Sequence, residues 1–484
     1  MIPLTLAEIA AATGGRLHNA DGAETVTGSV EFDSRQVAAG GLFVAMPGER
    51  VDGHDYATLA LTNGAVGVLA AREVDAPAVI VPPVSDAHVG SVALAGDTDG
   101  SGAAVLAGLA ALARAVVDRL TPNGLTVVGV TGSSGKTSTK DLISQVLEPL
   151  GPTVAPPGSF NNELGHPWTV LRADADTKHL VLELSARGPG HIRALCETAP
   201  PRIGVVLNVG SAHLGEFGSR EGIAQTKGEL AEALPDDGVA ILNADDPLVR
   251  AMADRTKARV VLVGEAADAA VRAVDVELDA QARATFRMVT AHGEATVRLG
   301  LHGAHHVGNA LSAAAVAFEL GATVDDVAVH LSGARRRSDR RMEVTVRDDG
   351  VTVVNDSYNA NPESMAAALR TLARMAGEPK GRTWAVLGVM GELGDSGADA
   401  HEEIGRLAAR LGIDWLVAVD EQAGAIAQGA LLERQGEEPV LVPDVEAAVA
   451  LLNAELRPGD VVLVKASKVA ALWRVADALL GSRP

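Results

Sequence analysis

The chain has 484 residues, too many for one hydrophobic core, so two to four domains are expected. It is 47% hydrophobic and 21% charged, as soluble globular proteins are, and with aromatics at 2% its interior must be filled mostly by Ala, Val and Leu. A formal net charge of −21 without a long basic run speaks against wholesale nucleic-acid binding, which needs clustered Lys and Arg, yet leaves room for a local positive pocket. The single cysteine, Cys196, rules out an intramolecular disulfide and reads as a small buried apolar side chain.

In chain order, Thr5 and Glu8 have the spacing of a helix capping box, and no basic segment with a long apolar core precedes them, so no signal peptide is expected. The longest apolar run, Gly102 to Ala113, is too short to span a bilayer and ends at Arg114; a soluble, cytoplasmic protein is expected. Composition divides the chain into blocks 1–98, 99–337 and 338–484. The first mixes helical pieces with short strands at Leu42 to Met46, Gly67 to Ala70 and Ala78 to Val81. At its border, Ala95 to Gly102 is small and polar and reads as a flexible surface loop. The second block predicts strands at Thr126 to Val130, His179 to Leu184, Arg202 to Leu207, Gly238 to Leu242 and Arg259 to Val263, with a helix to about Leu150. Such continuous Val, Ile and Leu runs suit strands buried on both faces of a mainly parallel sheet. The third predicts strands at Val351 to Val354, Thr383 to Leu387, Trp415 to Val419, Val440 to Val442 and Val461 to Val464, each followed by a helix. Asn361 before Pro362 is a helix start, and the pattern is that of a small doubly wound domain.

The sharpest local feature is Thr131-Gly132-Ser133-Ser134-Gly135-Lys136-Thr137-Ser138, between a strand and a helix. Glycines let backbone N–H groups face a phosphate, and the helix N-terminus adds partial positive charge. Lys136 can reach terminal phosphates and the Thr137 hydroxyl can ligate Mg²⁺. Val130 stands where the full eight-residue P-loop has its first glycine, so the shorter form T-G-x-x-G-K-[ST] is the one that fits. The loop indicates a nucleoside triphosphate and leaves a GTPase, a kinase and a nucleotide-binding scaffold open.

Three polar features follow: Glu183 near a strand end, Asn208 to His213 after the next strand, and Lys227-Gly228-Glu229 in a helical stretch beginning near Glu221. Strand C-termini line the crevice of an open α/β sheet, so Glu183 and His213 are placed to serve Mg²⁺ beside a triphosphate. Taken singly, Glu183 could equally be a salt-bridge partner, His213 a surface histidine, and Lys227 an exposed lysine paired with Glu221, Glu229 or Glu232.

These features, in this order, resemble the central domain of the Mur ligase family. Gly303 to Asn309 resembles the stretch whose last Asn contacts adenine, and Arg341-Met342-Glu343 the arginine motif opening the C-terminal domain. Asp356-Ser357-Tyr358-Asn359-Ala360-Asn361-Pro362 and Ser159 to Pro167 are similar to stretches of the branch that adds D-alanyl-D-alanine. Asp33-Ser34-Arg35, Gly41 to Ala45 and Gly48 to His54 resemble the UDP-sugar-binding domain, and Leu463 to Ser467 a further family stretch. The resemblance thus touches all three blocks. Sister ligases that add one amino acid, and folylpolyglutamate synthetase, fit the Asp356 to Pro362 run and the N-terminus less well. A catalytically silent nucleotide-binding protein would be expected to have lost Lys136, Glu183 or His213, and all three are present.

The resemblance implies three α/β domains: a UDP-sugar domain (1–98), a central P-loop parallel-sheet ATPase domain (99–337) and a C-terminal Rossmann-like domain (338–484). It implies ATP-dependent joining of D-alanyl-D-alanine to UDP-N-acetylmuramoyl-tripeptide through an acyl phosphate, by a monomer. ATP would be bound by Gly132, Ser133, Ser134, Gly135, Lys136, Thr137, Ser138, Asn309, Arg341 and Asp356. Thr137 and Glu183 would hold one Mg²⁺, and His213 with Lys227, as its carbamate, a second; Lys136, Lys227 and His213 would carry catalysis. Substrate contacts are implied for Ser34, Arg35, Asn161, Asn162, Ser185, Tyr358 and Asn359. The sequence departs from the family at His306 and Arg187, where Asn is usual, at Gly215, where Glu is common, and at Ala466 and Lys468, which replace Gly and Arg.

Overall fold

The computed structural model describes residues 1–48, 51–84, 94, 97–211, 214–376, 381–433 and 437–481. The α/β class expected from the sequence holds, and the three large sheets fall in successive stretches of chain. The first orders Arg16–His18, Ala78–Ile80, Ala65–Ala70, Gly41–Val44 and Val30–Glu31, parallel apart from its first pair. The helix Leu6–Thr13 before it starts on the expected capping box: the Glu8 N–H donates to Thr5 Oγ1 at 3.2 Å and the Thr5 N–H to Glu8 Oε2 at 2.8 Å. Such a cap contributes about 1 kcal/mol.

The middle sheet has nine strands in the order Gly293–His302, Arg283–Thr290, Val271–Leu278, Arg259–Gly264, Val239–Asn243, Ile203–Val206, Thr126–Thr131, His179–Glu183, Thr153–Val154. It is parallel from Val271–Leu278 to Thr153–Val154 and antiparallel across the two remaining pairs. Unbroken apolar runs do not predict the antiparallel ribbon. Val271–Leu278 instead alternates apolar and polar residues, so it buries one face only. The third sheet orders Glu343–Val346, Thr352–Asn355, Val461–Lys465, Thr383–Leu387, Trp415–Val419 and Val440–Val442, parallel except for its first pair.

The loop expected over Ala95 to Gly102 is corrected in part. Ala95 and Gly96 lie outside the described residues, whereas Ser101 and Gly102 open the 20-residue helix Ser101–Leu120. Carboxylates start this helix: the Ser101 N–H donates to Asp99 Oδ1 at 3.0 Å and the Ala103 N–H to Asp97 Oδ2 at 2.9 Å. Its Val105, Leu109, Leu112 and Val116 share one core with Leu4, Leu6 and Ile9 on one side and Val127, Leu180 and Leu182 on the other. Each such buried Leu or Val contributes roughly 1.5–3 kcal/mol by leaving water.

Candidate active site

Sheet order builds the site. The strand Thr126–Thr131 lies between His179–Glu183 and Ile203–Val206, so their C-terminal ends flank the phosphate loop on both sides. Gly135 closes the loop at φ 81°, and a β-carbon there would stand 2.8 Å from Asn309 Oδ1. Asn309 comes from the helix His306–Glu319, which packs on the helix Lys136–Leu147 that the loop opens. Asn208 braces the loop from the other side: its Oδ1 accepts the Ser134 N–H at 2.9 Å and its Nδ2 donates to the Ser134 carbonyl at 3.2 Å. Ser138 is half-buried in the first turn of the helix.

Lys136 Nζ donates to the Gly132 carbonyl at 2.8 Å, folded back across the loop. Loss of water around it lowers its pKa, a tendency that Glu183 opposes and Arg341 reinforces. Glu183 is 1% exposed, and its carboxylate gathers hydroxyl and amide donors. Thr137 Oγ1 donates to Oε2 at 2.9 Å, while Ser159 Oγ and Asn161 Nδ2 donate to Oε1 at 3.0 and 2.6 Å. A hydroxyl beside a carboxylate at the end of a phosphate loop is an all-oxygen donor set suited to Mg²⁺. Asn162 caps the next turn by accepting the Gly165 N–H, and the Ser185 N–H donates to the Asn161 carbonyl at 3.2 Å.

Lys227 lies on the helix Arg220–Glu232 and is 5% exposed. The alternative of an exposed, paired lysine is overturned by this burial, and two of its acidic neighbours are engaged elsewhere. Glu229 accepts the Gly190 and Arg193 N–H groups, and Glu232 pairs with Arg255. Burial, and then the positive charge of Lys136, push the Lys227 pKa well below the usual lysine range. His213 lies outside the described residues.

The C-terminal part contributes across the seam. Arg341 Nη2 donates to Thr137 Oγ1 at 3.3 Å, with its guanidinium 4.1 Å over the Tyr358 ring. Asp356 Oδ1 accepts the Met342 N–H at 3.0 Å, and Oδ2 accepts Lys465 Nζ at 2.6 Å. Lys465, 2% exposed, also donates to the Asn359 carbonyl at 3.0 Å. Lys465 belongs to the Leu463 to Ser467 stretch, and its signal in the sequence is a charge closing the apolar strand Val461–Lys465 at the crevice end. The candidate sugar residues sit apart from this cluster: Ser34 is buried and Arg35 points outward, paired with Asp33 at 2.8 Å.

Three family models cover most of the chain: the Mur ligase family, catalytic domain over residues 27–112, the Mur ligase middle domain over 130–317, and the Mur ligase, glutamate ligase domain over 340–468. The UDP-N-acetylmuramoyl-tripeptide–D-alanyl-D-alanine ligase of Mycobacterium tuberculosis is 56% identical, over 99% of this chain and 98% of its own. The chain belongs to the Mur ligase family. The Escherichia coli enzyme of the same name is 33% identical, over 99% of both chains. Among solved structures, MurF from Acinetobacter baumannii superposes on this Mur ligase with a TM-score of 0.85 at 29% identity, covering 99% of both chains. MurF ligase from Thermotoga maritima in complex with ADP gives 0.77 at 30% identity, over 94% of this chain and 98% of that one.

Two of the departures meet at one place in this Mur ligase. Arg187 pairs with Glu392 of the C-terminal part at 2.9 Å, and a β-carbon on Gly215 would stand 2.7 Å from the Gly394 backbone nitrogen. His306 packs on the His305 ring, centroids 4.2 Å apart, and its Nδ1 accepts from Asn309 Nδ2 at 3.4 Å. Ala466 is fully buried and Lys468 exposed.

Proposed function

We propose that this Mur ligase uses ATP to join D-alanyl-D-alanine to UDP-N-acetylmuramoyl-tripeptide, as a cytoplasmic, monomeric enzyme of peptidoglycan precursor synthesis. The observation that carries the reading is the seam: Arg341, from beyond the central sheet, reaches the hydroxyl of Thr137 in the phosphate loop. The end-to-end identity to ligases of that name supplies the substrates. Among the described residues, no helix is long and apolar enough to cross a membrane.

The tripeptide's terminal carboxylate attacks the γ-phosphorus of ATP, and ADP leaves. The amine of D-alanyl-D-alanine then attacks the acyl carbon, and the tetrahedral intermediate expels phosphate to give the amide. Two anions must approach in the first step, so the task is largely electrostatic and positional. Lys136 would leave the Gly132 carbonyl for the terminal phosphates. Asn309, Arg341 and Asp356 would seat the nucleotide, the last held in place by Lys465. Ser34, Arg35, Asn161, Asn162, Ser185, Tyr358 and Asn359 would contact the UDP-peptide and the acceptor. Mg²⁺, when bound, neutralises phosphate charge; Thr137 and Glu183 would hold one ion, and His213 with carbamylated Lys227 a second.

Carbamylation requires a neutral amine, and a lysine buried beside Lys136 meets that requirement. The bare amine makes no hydrogen bond or ion pair among the described residues, and an anionic carbamate there would also counter the neighbouring positive charge of Lys136.

The test is phosphate release with each substrate omitted in turn. Release should require ATP, the tripeptide precursor and D-alanyl-D-alanine together. Efficient turnover of a dipeptide precursor with one amino acid, and none with the D-alanyl-D-alanine acceptor, would overturn the assignment.

A further inference from the structure

The helix Pro362–Met375 of the C-terminal part points its first turn at the phosphate loop. Asn361, its cap, donates from Nδ2 to the Ser133 carbonyl at 3.2 Å, and Ser133 Oγ accepts the Gly210 N–H at 2.9 Å. One turn residue, Glu363, completes this web. Its Oε1 accepts both the backbone N–H of Ser211, at 2.7 Å, and that residue's hydroxyl, at 2.9 Å. Residue 210 must be glycine for this fit, since a β-carbon there would stand 2.4 Å from Glu363 Cδ.

The other oxygen is unexplained by this role. Glu363 Oε2 is shut off from water and has no hydrogen-bond partner among the described residues. A buried carboxylate oxygen without a donor is costly, and such an atom in a native site calls for a ligand. It lies in the seam between the loop that binds the triphosphate and the part of the chain that closes over it. The proposed ligation supplies a cationic ligand: the acceptor arrives as an ammonium, is bound in that form, and gives up a proton to become the amine that attacks the acyl phosphate.

We propose that Glu363 is an acceptor-binding residue: Oε1 fixes Ser211 when the seam is closed, and Oε2 receives the ammonium of the incoming dipeptide. This rests on the proposed ligation, whose own test is the acceptor dependence of the unaltered enzyme. Glu363→Gln keeps an oxygen for Ser211 but removes the charge. It should raise KM for D-alanyl-D-alanine about ten-fold or more, with KM for ATP changed less than about two-fold. As dead-end inhibitors, amine-bearing analogues should bind the unaltered enzyme better than their N-acetylated forms, and Glu363→Gln should lose that preference. Gly210→Ala, which drives a methyl against the carboxylate, should shift the same KM. Because that variant leaves the Glu363 side chain intact, it guards against a folding defect peculiar to the Glu363 change. An unaltered enzyme that requires the dipeptide, together with a Glu363→Gln variant whose acceptor KM and amine preference are unchanged, would overturn the assignment while leaving the ligation standing.

Discussion

Lys227→Met tests whether the Lys227 amine is held uncharged. In the unfolded chain a lysine is an ammonium below a pKa of about 10.4. In the folded protein, burial and Lys136 keep it neutral to well below that value. Unfolding therefore takes up a proton, and this group's contribution to stability falls as pH drops from the unfolded value towards the folded one. The slope in that window is at most about 1.4 kcal/mol per pH unit. Methionine fills a similar volume without a charge to desolvate, so the variant should be the more stable at neutral pH, by about 1 kcal/mol or more. Its advantage should shrink as pH approaches 10. For an unfolding unit of 150–250 residues, each kcal/mol moves the melting temperature by roughly 2–4 °C. Scanning calorimetry at pH 6.5, 8 and 9.5 in CO₂-free buffer reads the difference, in which unrelated titrations cancel. Added bicarbonate should then raise the melting temperature of the unaltered protein and leave Lys227→Met where it was. A stability difference that is constant across pH would refute the reasoning.

Two further outcomes are expected. Lys136→Ala should lower kcat by a factor on the order of 10³ while ATP still binds, because its charge is used as phosphoryl transfer proceeds; near-normal turnover would remove it from the site. Gly215→Ala should hold the C-terminal part away, because the new methyl meets backbone, the Gly394 nitrogen and α-carbon at 2.7 and 2.8 Å, rather than a side chain that could turn aside. Small-angle scattering with an ATP analogue and precursor should then show larger dimensions than for the unaltered protein, and identical dimensions would contradict this.

The buried strands were legible because parallel strands covered on both faces are written as unbroken apolar runs. Thr383–Leu387, Trp415–Val419 and Val440–Val442 begin and end where the sequence places them. The phosphate loop was legible because its chemistry is local, and Glu183 lies at a strand end next to it. What depended on pairing was not. Lys465 and Asp356 lie 109 residues apart, and the register Asn355↔Val464 brings them together. Glu363 could be seen only as one residue of a helix start, since its partner Ser211 lies in the loop after a strand of another sheet. Ser101 and Gly102 belong to a helix rather than a loop, and the sequence does not separate the two because Gly and Ser are common both in loops and in the turn that begins a helix.

The helix Ser101–Leu120 has a mechanical consequence. Its apolar face welds the first sheet to the middle one through a shared core. The joint with the C-terminal part is made differently: Arg187 with Glu392, Ser211 with Glu363, Ser133 with Asn361, Thr137 with Arg341. The core of that part takes in one central residue, Ala282. Opening the welded joint would expose hydrocarbon to water, whereas opening the polar one trades protein hydrogen bonds for hydrogen bonds to water. One joint is therefore expected to be stiff and the other to open more readily. The polar joint carries Arg341 and Asp356, so on the proposed function its opening would let nucleotide enter and leave without disturbing the ground on which the sugar substrate would sit.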